Sequence, residues 1–231
     1  MKKEFTQETF DRMIDKVVFW NELAGNLPED KTLEPVYLQL AREEMFGQNE
    51  FLQGWFTGDK VMQADGVADL IFTGGMLSCL QGDYRIYTDS ELQSLETEEV
   101  IALLSSNLIE YGGIVNDSLY SLCFKMSEVM DVESVFNAVY SSNMTKYATA
   151  GELTGAYHDQ FGFIESVDFA EWQCEQIEEQ KRYSGVSYHK VGSYYIFTAK
   201  RDLQSGVVFD KPKIVKPSTF KEPIDLSQYI Y

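Results

Sequence analysis

Apolar residues recur at helical spacing through the first two thirds of the chain. In "FTQETFDRMIDKVVFW" they fall at Phe10, Met13, Ile14, Val17, Val18 and Phe19, which predicts an amphipathic helix running into a turn at Gly25, Asn26 and Pro28. "TLEPVYLQLAREEMFGQNEFLQGW" predicts a second helix with Pro35 in its first turn, where proline is tolerated. After "FTGDK", "VMQADGVADLIFTGGMLSCL" predicts a third. Polar "QGDYRIYTDSELQSLETEE" reads as a connector, and a helical stretch from about residue 98 to 130 is broken at Gly112 and Gly113. Asp131 then caps a helix over "VESVFNAVYSSNM".

Beyond Lys146 the pattern changes. "GELTGAYHDQFGFIESVD" reads as a loop and "FAEWQCEQIEEQKRY" as one exposed helix. "SYYIFTAKRDLQSGVVFD" predicts two strands around "DLQSG", and the tail, with three of the five prolines, is expected to be extended. The expected architecture is a mainly α bundle with a small C-terminal β-hairpin and an extended tail. Residues 1–150 form its core, with 81–114 as an insertion, and 151–231 an elaboration packed on that core.

Charge narrows the function. With 37 acidic against 19 basic residues the formal net charge is −18, which argues against general affinity for nucleic acid or anionic membrane. No stretch reaches the roughly 18 apolar residues that span a bilayer, and the N-terminus lacks an apolar core after its lysines, so a soluble, cytoplasmic protein is expected. Cys79, Cys123 and Cys174 are widely spaced and read as buried free thiols. With only His158 and His189 and no Cys–His clustering, a catalytic metal would need oxygen ligands, which favours Mg²⁺ or Mn²⁺.

The candidate chemistry lies in the acidic helices. Glu43 and Glu44 sit inside an apolar-periodic helix, and Asp65 and Asp69 stand four apart on one face of the next. Like charges on an apolar face repel and lose hydration, so a divalent metal is an economical partner; solvated surface helices are the plain alternative. "SSNMTKY" gathers hydroxyl, amide and ammonium donors suited to an oxyanion, or to an ordinary helix end. Trp20 and Trp55 could stack on a base or belong to the core, and Gly74 and Gly75 fit close helix packing better than a phosphate loop. Lys211, Lys213, Lys216 and Lys221 could meet a nucleotide's phosphates or an acidic face of a second subunit.

In chain order, "LQLAREEM", "GDKVMQADGVADLIF", "VFNAVYSSNMTKY" and "GVVFDKPKIVKPSTFKEPIDL" resemble the blocks of the all-α nucleoside triphosphate pyrophosphohydrolases: MazG-like enzymes, dimeric dUTPases and phosphoribosyl-ATP pyrophosphatases. The closest flavour is a group frequent in phages, which would place the protein in a host cytoplasm. The resemblance covers roughly residues 5–80, 115–150 and 205–228. It implies a Mg²⁺-dependent enzyme, dimeric or of higher order, that splits a nucleotide into a monophosphate and pyrophosphate. Glu43, Glu44 and Asp65 would be catalytic, and Glu43, Glu44, Asp65 and Asp69 would hold metal. Asn143 and Lys146 would contact phosphate, with Trp20 and Asn26 also binding substrate. Gly47 and Met62 stand where the family pattern has glutamates, so a catalytically degenerate nucleotide-binding or sequestering protein is the alternative. Glu50 and Asp59 are possible replacement ligands.

Overall fold

The computed structural model describes residues 4–82, 92, 94–112, 116–162 and 167–231. Most of the connector after Gln81, the position of Gly113 and part of the segment read as a loop before Asp168 lie outside the described residues. The chain divides into two compact units, residues 1–140 with 223–231, and residues 141–222.

The first unit is helical. α1 (Gln7–Leu23) starts where the Thr6 side chain accepts from the Thr9 N–H at 3.2 Å, and it buries Phe10, Met13 and Val17. The predicted second helix is two helices: α2 (Glu34–Phe46) and α3 (Phe51–Thr57). The break follows from Gly47, whose backbone is extended at ψ 172°, and from Asn49, which takes a φ of 66°. A Cβ on Gly47 would lie 2.4 Å from the Glu43 carbonyl oxygen and 2.9 Å from Glu50 Cγ, so the turn has room only for glycine.

α4 (Lys60–Gln81) is the central helix, packed against α1, α2 and α3. Between Gln63 and Leu80 it is buried except at Asp65, Asp69 and Thr73, which form one half-buried stripe at four-residue spacing. Gly66 lets α3 approach, since a Cβ there would stand 2.7 Å from the Phe51 backbone. Gly75 meets Ile14 of α1, as close helix packing requires.

α5 (Thr97–Ser106) continues into a π turn at Asn107–Tyr111 and stops at left-handed Gly112; α6 (Asn116–Met126) follows. α7 (Val132–Met144) starts at Asp131, which accepts from the Ser134 N–H at 3.1 Å. The divide between the units falls within α7. Leu226–Tyr229 forms a short 3₁₀ turn in the first unit, where the Asp131 N–H donates to the Tyr229 carbonyl at 2.8 Å.

The second unit holds more sheet than one hairpin. β1 (Tyr147–Thr149), β2 (Tyr183–Ser184), β3 (Ser187–Val191) and β5 (Val208–Ile214) all pair antiparallel with β4 (Tyr194–Asp202). The register sets Tyr147 opposite Ile196, Lys190 opposite Tyr195 and Lys213 opposite Ala199. Strands β1 to β3 are too short to show a clear alternation, whereas β4 and β5 were visible in the sequence. Pro212 is accommodated because, among the described residues, β5 pairs with β4 alone.

The segment read as a loop after Thr149 is largely a helix, α8 (Ala150–Phe161). Thr149 and Glu152 form a reciprocal capping box, the Glu152 carboxylate accepting from the Thr149 N–H at 2.8 Å. Capping and burial of Leu153 outweigh the helix-weakening Gly151 and Gly155. α9 (Phe169–Glu179) is amphipathic rather than exposed. Its Ala170, Cys174 and Ile177 pack with Leu153, Phe197, Ala199 and Val215. Cys79, Cys123 and Cys174 are buried and form no disulfide with one another. Among the described residues, no helix is long and apolar enough to cross a membrane.

Candidate functional site

The half-buried stripe of α4 is where the carboxylates gather. Glu44, on α2 one residue before buried Met45, feels the charges of Asp69, Glu50 and Glu43. Burial and then that repulsion push its carboxyl from 4.5 up to about 9, so at neutral pH it holds its proton. Burial raises the Glu50 carboxyl as well, with the charges of Asp65 and Glu43 adding to it and the neighbouring Glu44 carboxyl opposing it. Glu50 arrives through the break at Gly47, because a continuous helix would have carried it away along α2. The structure therefore brings Glu43, Glu44, Asp65 and Asp69 into one electrostatic neighbourhood and adds Glu50.

Other carboxylates and cations nearby have separate tasks. Asp59 caps α4, its Oδ1 accepting from the Val61 and Met62 N–H groups at 3.0 Å each. Glu43 is exposed and accepts from Gln39 Nε2 at 3.1 Å. Arg42 turns to the π turn, donating from Nε and Nη2 to the Leu108 carbonyl at 2.9 and 2.8 Å. Lys60 donates to Gln63 at 3.1 Å and lies over Trp55. Met62 offers only a thioether.

All five carboxylates supply hard oxygen donors, and their mutual repulsion favours a divalent cation, so the donor set fits Mg²⁺ by chemistry. As the side chains stand, no three His, Cys, Asp or Glu groups among the described residues are close enough to hold one ion.

Trp20 meets Phe72 edge to face, ring centroids 6.0 Å apart, one turn along α4 from Asp69. Asn26 braces the turn between α1 and α2: its Nδ2 donates to the Tyr37 hydroxyl at 3.2 Å, and that hydroxyl donates to Asn21. Burial pushes the Tyr37 hydroxyl up to about 12, so it stays protonated and keeps donating.

Asn143 and Lys146 belong to the second unit. Both are half-buried at the end of α7, where the Lys146 N–H donates to the Asn143 carbonyl at 3.1 Å. Two hydroxyls of the same run serve the tail instead. Ser142 Oγ donates to the Lys221 carbonyl at 2.7 Å, and Thr145 Oγ1 accepts from the Lys221 N–H at 2.9 Å.

Sequence reasoning left Glu50 outside the main metal set, although "GQNE" after a helical run carried the signal of a helix break. No known protein family, characterised protein or solved structure matches this chain.

Proposed function

We propose that this protein is a Mg²⁺-dependent nucleotide pyrophosphohydrolase, acting as a homo-oligomer on a nucleoside triphosphate or deoxynucleoside triphosphate to give a monophosphate and pyrophosphate. The observation that carries this reading is the acidic stripe of α4. Asp65 and Asp69 lie with Thr73 on the one half-buried stripe of a helix otherwise buried from Gln63 to Leu80, and burial and neighbouring charge keep the Glu44 carboxyl protonated beside them. Carboxylates gathered on a half-buried helix face repel one another, and a divalent cation would relieve that repulsion.

Glu43, Glu44, Asp65 and Asp69 would hold the ion, with Glu50 in place of the carboxylate absent at Gly47. The ion supplies neutralisation of phosphate oxygens and a more acidic water. With the ion bound, Glu44 would release its carboxyl proton to solvent, and the resulting carboxylate would be the acceptor for a proton of the attacking water. The resemblance alone implies phosphate contacts from Asn143 and Lys146 and a base contact from Trp20.

The second reading, a nucleotide-binding or sequestering protein without turnover, is favoured by Gly47 and Met62 and by the spread of the carboxylates. One experiment separates the two. Purified protein is incubated with nucleoside and deoxynucleoside triphosphates and Mg²⁺ or Mn²⁺, and the products are resolved by chromatography. Monophosphate plus pyrophosphate, lost in Asp65→Ala and Lys146→Ala, supports the hydrolase. Intact nucleotides that still raise the melting temperature support the binder.

A further inference from the structure

We infer that the second unit carries an oxyanion site of its own, where residues 216–222 lie between the end of α7 and α9. Gln173 on α9 is fully buried, 0% exposed. Its Oε1 accepts from the Ser218 N–H at 3.2 Å and from the Ser218 hydroxyl. A backbone N–H can only donate, so the amide orientation is fixed and Nε2 is on the other side. That nitrogen carries two protons and has no acceptor among the described residues; neither has the buried hydroxyl of Thr219, the residue after Ser218.

Buried donors of this kind are satisfied in folded proteins, so each calls for an acceptor. Trp172 Nε1 is a third buried donor without an acceptor, but its ring packs edge to face with Tyr157 at 5.1 Å, in the aromatic cluster of α8 and α9.

Charge identifies the acceptor. The stretch from Lys211 to Lys221 has four lysines and no acid in a chain with 37 acidic residues. Lys216 and Lys221 are exposed and stand two residues along the chain from Ser218 and Thr219, Lys216 also pairing with Glu222 at 3.1 Å and covering the Phe220 ring. The backbone of Lys221 is pinned to Ser142 and Thr145, which holds the tail in place. A neutral acceptor has no need of these cations. A phosphate-class oxyanion does, whether free phosphate or the phosphate group of a nucleotide. This site stands on the second unit alone and does not depend on the hydrolase reading.

The test uses the full ¹⁵N-labelled chain, titrated with inorganic phosphate against chloride at matched ionic strength while the Gln173 side-chain amide signals are followed by NMR. A saturable shift is expected, weakened about tenfold by Thr219→Val and by Gln173→Glu, which keeps the acceptor for Ser218 and removes the donor. Thr219→Val preserves side-chain shape and serves even where Gln173→Glu does not fold. A parallel titration with adenosine monophosphate separates the sources: a response to phosphate identifies the free ion, and a response to the nucleotide alone identifies its phosphate group. A Gln173 amide that responds to neither ligand and exchanges magnetisation only with a resident water overturns the site, as does an affinity unchanged in Thr219→Val.

Discussion

Glu44 shows how one side chain reports on its surroundings. Its carboxyl is raised from 4.5 to about 9, so the folded protein prefers the protonated form. The sign follows directly: a carboxyl raised on folding contributes stability below its unfolded value, and that stability is lost as pH rises through the folded value. Without divalent cations, denaturant stability should therefore fall between about pH 5 and pH 9, by at most about 1.4 kcal/mol per pH unit from this group. Glu44→Gln should flatten the slope, and Mg²⁺ should reduce it in the native protein by favouring the ionised carboxylate. An unchanged slope in Glu44→Gln would place the repulsion elsewhere. The two positions that depart from the resembled family behave differently as well. Met62→Glu, in the first turn of α4, should fold, because a carboxylate near a helix N-terminus is favoured. Gly47→Glu should lower stability by about 1–3 kcal/mol in chemical denaturation, since its Cβ must displace the Glu43 carbonyl. Adding the family's carboxylate at position 47 is therefore no neutral repair.

Between elements, the decisive contact is α3 against α4. Gly66 brings the Phe51 backbone within 2.7 Å of where a Cβ would stand, so Gly66→Ala should force the helices apart. It is expected to cost about 2 kcal/mol or more and to lower the melting temperature measurably. Helix spacing made α1, α4 and α7 legible, with Asp131 correctly placed as a cap. It missed the break between α2 and α3, because apolar residues on both sides of Gly47 keep a nearly helical phase while the turn depends on a missing Cβ. It missed α8 because glycines at 151 and 155 hid a capping box whose partners, Thr149 and Glu152, are unremarkable apart from their spacing. The strands β4 and β5 were visible by alternation, while β1 to β3 draw their pairing from β4 rather than from their own pattern. The acidic positions were visible individually. Their gathering around Glu50 was less so, because it arises from a turn rather than from a repeat.

Across the whole molecule, the charge is unevenly shared. Residues 1–140 with 223–231 hold 26 acidic and 9 basic residues, whereas 141–222 hold 11 and 10. Self-repulsion in the first unit should make the melting temperature rise with NaCl. Mg²⁺ at matched ionic strength should raise it further, and the excess should vanish in the Glu44→Gln, Asp69→Asn double variant. A metal site on the α4 stripe places the cation among Glu44, Glu50, Asp65 and Asp69. Titrating the ¹⁵N-labelled protein with Mn²⁺ tests this, because the ion broadens the NMR signals nearest to it. The prediction is saturable broadening centred on Glu44, Glu50, Asp65 and Asp69, displaced by Mg²⁺ and weakened in the double variant. Broadening spread evenly over the acidic surface, or focused elsewhere, would contradict a metal site on the α4 stripe.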